Sequence, residues 1–222
     1  MLQAEHISFS YRKKQVLRDV CFTAREGDFI GIIGKNGCGK STLLSVLAGV
    51  RKPDGGSVSF LNADLFAKST VPAETIGYFP QLNPLLPELS VGDNLKLWLR
   101  DTSSANKEAC ASLYREMDLT AYLSLPVAKL SEGMKKRVSI ASVLQNHPKL
   151  LILDEPSAAL DLPCKEIIHN QLRSFTAKGG IVLFTTHEEA EFSLCTTLYI
   201  LKDGILQPVD SGQDRHTLVQ QF

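Results

Sequence analysis

Neither sign of charge predominates in this chain: 24 Lys and Arg balance 24 Asp and Glu over 222 residues. A formal charge of zero supplies no global field toward nucleic acid or an anionic bilayer, so any such partner has to be recognised locally. Cysteine is sparse too. Cys21, Cys38, Cys110, Cys164 and Cys195 are odd in number, scattered, and form no C-x-x-C pair. That pattern excludes a disulfide framework and leaves reduced thiols of a cytosolic protein as the simplest reading. No run of about 18 apolar residues is present, the minimum for a spanning helix, and residues 1–11 lack a basic segment followed by an apolar one. The chain is therefore expected neither to enter nor to cross a membrane by itself. What is there, 44% apolar and 22% charged residues, suffices to bury a core without metal or disulfides.

Alternation predicts strands over 2–8 and 16–23, and a nearly all-apolar strand over 28–33, as expected of one buried on both faces. A turn over 34–39 leads to a helix over 41–48, and 57–61 and 75–79 read as further short strands. From 84 to 147 the spacing turns helical (91–99, 107–117, 134–144), so this stretch reads as a helical insert. Strands return at 150–153, 181–185 and 198–201, with a helix over 163–175 that Lys178-Gly179-Gly180 ends. Strands alternating with helices imply a mostly parallel sheet covered on both faces.

Gly34-Lys35-Asn36-Gly37-Cys38-Gly39-Lys40-Ser41, followed by Thr42, fits G-x-x-x-x-G-K-[ST] between a buried strand and an amphipathic helix, the context the motif requires. Its glycines let backbone amides turn inward around a phosphate, and the helix start adds positive potential. Lys40 is placed to bridge the β- and γ-phosphates of ATP and Ser41 to ligate Mg²⁺. Cys38 lies within the loop, where backbone amides and Lys40 favour a thiolate, although a small residue alone satisfies the turn. Residues 150–153 form an apolar strand ending in Asp154-Glu155, a pair costly to bury unless a cation needs them. Asp154 is the candidate Mg²⁺ ligand, and Glu155 the candidate base for the attacking water.

Leu130-Ser131-Glu132-Gly133-Met134-Lys135-Lys136-Arg137 resembles the signature loop of the ATP-binding cassette (ABC) ATPases, more often L-S-G-G-Q followed by a basic pair. Physically, Ser131 can cap the next helix and Gly133 permits close backbone approach, giving a second anion site. At Glu132 the family often has Gly and at Met134 often Gln, so Glu132 is expected to face solvent. Further positions follow in family order: Tyr11 matches the aromatic that stacks on adenine, and Gln81 in Tyr78-Phe79-Pro80-Gln81 matches the glutamine linking metal and water to the helical insert. Ser157-Ala158-Ala159-Leu160-Asp161 looks like the D-loop and His187 like the switch histidine. His6, His147, His169 and His216 read as solvated or structural, and Lys135-Lys136-Arg137 and Arg12-Lys13-Lys14 as solvated charges.

The resemblance implies an α/β P-loop NTPase with a mostly parallel central sheet, an N-terminal antiparallel β subdomain and an inserted helical subdomain: core 1–82 and 148–222, helical part 83–147. It implies ATP hydrolysis in a head-to-tail dimer, a homodimer or a heterodimer with a similar cassette, in which the signature loop of one subunit completes the site of the other. An integral-membrane permease would be the partner, holding the protein at the inner face of the cell membrane. The Gly133–Arg137 sequence resembles the exporter branch. A soluble cassette acting on ribosomes or DNA is the competing reading, but such relatives carry two cassettes or a coiled-coil insertion, and the neutral balance argues against bulk nucleic-acid binding.

Overall fold

Strand β3 (Phe29–Ile33) is buried at all five positions, which an apolar FIGII segment tolerates only at the centre of a sheet covered on both faces. In the computed structural model, which describes residues 1–67, 75–81 and 84–209, β3 lies between β8 (Ile181–Thr185) and β9 (Thr197–Lys202), parallel to both. Beyond β8 follow β7 (Leu150–Asp154) and β6 (Ile76–Phe79), again parallel. β10 (Ile205–Pro208) closes the opposite edge antiparallel to β9, giving the order β10-β9-β3-β8-β7-β6. A second sheet is antiparallel, in the order β2-β1-β4-β5, from β1 (Leu2–Tyr11), β2 (Lys14–Ala24), β4 (Gly55–Phe60) and the two-residue β5 (Ala63–Asp64).

Helix α1 (Lys40–Leu47) lies between the two sheets' contributions to one core, in which Leu43, Leu44 and Leu47 meet Leu17, Val20, Val58 and Leu183. A second core joins the other face of the parallel sheet, through Leu151, Leu153 and Phe184, to helices α2 (Val91–Trp98), α4 (Glu132–Leu144) and α5 (Leu162–Ala177). Helix α3 (Ser104–Glu116) contributes the half-buried Leu113 and Tyr114. The helices between β6 and β7 therefore do not close on themselves; their apolar side is completed by the sheet. Among the described residues, no helix is long and apolar enough to cross a membrane.

The expected α/β class and the major elements agree with this architecture, and several short elements were not anticipated. β5 and β10 follow hairpins whose turn residues sit at positive φ (Leu61 52° and Asn62 63°; Asp203 51° and Gly204 79°). Asp203-Gly204 is a strong hairpin pair, a signal the β9 stretch overshadowed. A 3₁₀ helix at Glu189–Leu194 shows no periodicity long enough to read. The expectation for the exposed charges needs one correction. Lys135, Lys136 and Arg137 were expected to be solvated, yet Arg137 is buried and its Nη1 donates to the Met117 carbonyl at 2.9 Å and to Asp118 Oδ2 at 3.1 Å. It fastens the end of α3 to α4, because the carbonyls just past α3 have no helical partner.

Replacing Arg137 by Ala removes both bonds and leaves the buried Met117 carbonyl without this donor. The expected cost is about 2–3 kcal/mol, read as a lower urea midpoint with an unchanged slope.

Candidate active site

Four strands adjacent in space, β3-β8-β7-β6, run parallel and so end at one edge. The glycine-rich loop follows β3, Thr186 and His187 follow β8, Glu155 follows β7, and Gln81 lies two residues past β6. This carboxyl edge is where open α/β sheets bind their ligands.

At Gly39 the backbone has φ 112°, and a Cβ there would stand 2.6 Å from Val16 Cγ1; only glycine permits this turn so close to β2. The turn delivers Lys40 as the first residue of α1. Its side chain is 6% exposed, and Nζ donates to the Gly34 carbonyl at 2.7 Å and the Lys35 carbonyl at 3.2 Å. Among the described residues no carboxylate pairs with it, so a nearly dry ammonium sits inside a loop whose crest, Lys35, Asn36 and Gly37, is exposed. That arrangement fits a phosphate. Ser41 is exposed beside it, and Thr42 Oγ1 lies 3.3 Å from Tyr11 Oη. The Tyr11 ring packs edge-on against Phe9 and carries the Arg51 guanidinium 5.3 Å from its centroid. Cys38 departs from expectation: burial raises its thiol above the ordinary value, and the nearby Lys40 charge does not reverse this. The small-residue reading of Cys38 is the one consistent with its surroundings.

Opposite the loop, Asp154 is 3% exposed and accepts from Thr185 Oγ1 at 2.7 Å. Thr185 Oγ1 in turn accepts from the Glu155 amide at 2.9 Å, so one hydroxyl holds two successive residues. Among the described residues no cationic side chain reaches Asp154, and a buried carboxylate left so fits a metal ion supplied from outside; with the exposed Ser41 hydroxyl it offers the oxygen donors Mg²⁺ prefers. Glu155 adopts φ 50°, a left-handed conformation of the kind found at strained functional turns. Its carboxylate Oε1 meets His187 Nε2 at 2.9 Å, with the two side chains 19% and 37% exposed. Gln81 is exposed and forms no hydrogen bond among the described residues.

The profile of the family described as ABC transporter matches residues 17–158. The chain belongs to the ABC transporter family. Curated relatives include the Nod factor export ATP-binding protein I of Rhizobium sp. (strain N33), 36% identical over 200 residues, which cover 88% of this chain and 66% of the relative. The protein of that name in Neorhizobium galegae is 35% identical over 208 residues, 91% of this chain and 60% of the relative. The chain thus spans less than two thirds of the length of these relatives. A solved structure described as an ATP binding subunit of an ABC transporter superposes with a TM-score of 0.88 at 28% identity, covering 99% of each chain. A dimeric cassette in a post-hydrolysis state bound to ADP and Pi superposes at 0.82 with 25% identity, covering 95% of this chain and all of that one.

The ABC motifs outside the loop form a second group. Ser131 caps α4, accepting from the Met134 amide at 3.2 Å, and Asp161 caps α5, accepting from the Cys164 amide at 3.0 Å. The two helix starts touch: a Cβ on Gly133 would lie 2.8 Å from Cys164 Sγ, so Gly133 permits this contact whatever else it faces. Glu132 does face solvent, paired with Lys135 at 2.7 Å. Among the described residues no hydrogen bond or ion pair joins Ser131, Gly133 or Asp161 to the loop at 34–42 that carries Lys40.

Three residues tying these parts together were not legible beforehand. Lys136 Nζ donates to the carbonyls of Glu155 (3.1 Å) and Ala158 (2.7 Å), binding α4 to the turn that carries Glu155. Lys165 pairs with Glu188 at 2.5 Å. Glu191, 1% exposed, accepts from Ser157 Oγ of the D-loop and Thr186 Oγ1 beside His187, and its Oε1 lies 2.8 Å from His169 Nε2 of α5. His169 thus has the structural role expected of it, as has His147, 2.7 Å from Asn106 Oδ1; His216 lies outside the described residues. In the sequence, nothing in its type separates Glu191 from the neighbouring Glu188 and Glu189.

Burial pushes the Glu191 carboxyl up, but the bonds from His169, Ser157 and Thr186 outweigh it and the value ends below the ordinary 4.5. A depressed folded value means that the stabilisation is present above the ordinary range and is lost as pH falls through the folded value. Glu191→Gln is expected to cost about 1–3 kcal/mol near neutral pH, with the difference from the parent shrinking in urea titrations repeated at progressively lower pH.

Proposed function

We propose that this chain is the ATP-hydrolysing subunit of an ABC transporter, energising substrate movement by a membrane permease. The observation that carries the reading is the Glu155–His187 pair, 2.9 Å apart, on the same sheet edge as the nearly dry Lys40, which no carboxylate pairs among the described residues. A base held by a hydrogen-bonding switch residue beside a phosphate cradle is what γ-phosphoryl transfer to water requires.

In this mechanism the loop amides of Gly34, Lys35, Asn36, Gly37, Cys38 and Gly39 embrace the β-phosphate, and Lys40 exchanges its two carbonyl partners for phosphate oxygens. Thr42 supports the α-phosphate side, where Tyr11 offers its ring to the adenine after Arg51 yields the face. Mg²⁺, held by Ser41, Asp154 and Gln81, would neutralise charge shared by the β- and γ-phosphates. Glu155 takes a proton from the attacking water, and His187, hydrogen-bonded to it, orients the carboxylate and stabilises the charge growing on the γ-phosphoryl group. Because Ser131, Gly133 and Asp161 stand apart from their own chain's loop, they are assigned to the ATP of an opposite subunit, in a homodimer or a heterodimer with a similar cassette; the dimeric ADP and Pi-bound relative supports that arrangement.

The permease is assigned to the groove beside Gln81, lined by Tyr78, Pro80, Pro84, Trp98, Arg100 and Asn146. Trp98 and Leu97 are 48% and 58% exposed, an apolar surface suited to a membrane partner. Docked there, the chain would lie on the cytoplasmic face. The relatives' names, Nod factor export proteins, support export as the direction.

Lys40→Ala is expected to reduce ATP turnover by at least a hundredfold, since it removes a preorganised charge from the developing one, measured as phosphate release by the purified protein. Glu155→Gln should retain ATP binding and accumulate as a dimer with ATP and Mg²⁺ in size-exclusion light scattering. A variant that stays monomeric there would overturn the sandwich arrangement.

A further inference from the structure

Strand β1 breaks its alternation at Glu5 and His6, both exposed between the buried Ala4 and Ile7. Ala4 pairs with Phe22 and Ile7 with Val20, so two residues of β1 face the single Cys21 of β2. This is a β-bulge, with His6 at φ 51°, and such bulges re-aim a side chain. His6 is aimed at Asp19 and Cys21, which are two apart on β2 and share its outer face. Nδ1 of His6 lies 2.8 Å from Asp19 Oδ1 and 3.7 Å from Cys21 Sγ, and Cys21 Sγ lies 4.0 Å from Asp19 Oδ1. The His6 amide also donates to Cys21 Sγ at 3.1 Å, which fixes the sulfur on the same face.

We propose that His6, Asp19 and Cys21 form a divalent transition-metal site on the outer face of the antiparallel sheet, suited to Zn²⁺. Imidazole, carboxylate and thiolate are the three donor types of zinc sites, and bond lengths of about 2.0–2.3 Å in a tetrahedron place donors roughly 3.3–3.6 Å apart. The triangle of 2.8, 3.7 and 4.0 Å reaches that geometry by side-chain adjustments of a few tenths of an ångström, available because all three residues are exposed. Water completes the fourth position. On binding, the Cys21 thiol gives its proton to solvent, and two anionic ligands with a neutral imidazole balance the metal's charge. His6 lies five residues along β1 from Tyr11, about 15 Å at the rise of a strand, so this site is separate from the nucleotide edge and independent of the function proposed above. Its role would be to clamp β1 to β2, two adjacent strands of the antiparallel sheet.

The test uses the full chain, reduced, stripped of metal and without nucleotide, titrated with Co²⁺ and then Zn²⁺. One equivalent of Co²⁺ should produce a thiolate charge-transfer band that Zn²⁺ abolishes. Cys21→Ser should eliminate the band, His6→Ala should weaken uptake at least tenfold, and Asp154→Asn should leave both unchanged. Absence of the band in the parent, its survival in Cys21→Ser, or loss of uptake only in Asp154→Asn would overturn the proposal, the last by moving the metal to the nucleotide edge.

Discussion

The parallel register of β7 and β8, which sets Asp154 opposite Thr185, is the constraint on which the site depends. A shift by one residue would turn every side chain of the strand to the other face, burying Glu155 where Asp154 belongs and separating the hydroxyl of Thr185 from the carboxylate it serves. Both strands are buried at every position, so hydrophobic burial alone resists slippage only weakly; both faces are apolar. The Thr185 hydroxyl, satisfied by Asp154 on one side and the Glu155 amide on the other, adds a specific polar lock at the strand ends. Energetically it is one buried hydrogen-bonded group among many apolar ones, yet it selects the register.

From that lock the polar connections spread outward. Lys136 holds the turn after Asp154 to α4, and Glu191 gathers the D-loop, the residue before His187 and α5 onto one carboxylate. The segments that carry Glu155, Ser157 and His187 are thus connected through Lys136, of the basic pair after the signature loop, and through Glu191, which lies outside the quoted motifs. In the mechanism proposed here, a displacement of His187 would be felt at Ser157 and at α5 through a single buried anion, a coupling that packed apolar contacts alone transmit with less specificity.

The sequence was most transparent where a pattern had one physical cause. An unbroken apolar run such as 29–33 can only be a central strand, and a G-x-x-x-x-G-K-S turn between strand and helix has few other uses. Legibility failed where residue type does not reveal environment. Lys136 and Arg137 look like any basic pair on a helix, and only the positions of the Met117, Glu155 and Ala158 carbonyls, distant in sequence, draw them inward. Glu191 is one of three nearby glutamates, singled out by a 3₁₀ turn too short to show periodicity. Cys38 was read through the charge of Lys40, whereas burial proved the larger influence on its thiol. The bulge at His6 left a trace, two successive polar residues inside an alternating strand, but its partners Asp19 and Cys21 emerge only from cross-strand pairing.

Lys40 has a further consequence for how quickly the loop can engage an anion. Its ammonium is stripped of most of its water when the chain folds and is held by the carbonyls of Gly34 and Lys35. An arriving phosphate therefore meets a cation that needs only to trade one set of oxygens for another, without waiting for a hydration shell to leave. Binding at this position becomes a local swivel of one side chain, and the heat it releases reflects the difference between two hydrogen-bonded states of that swivel.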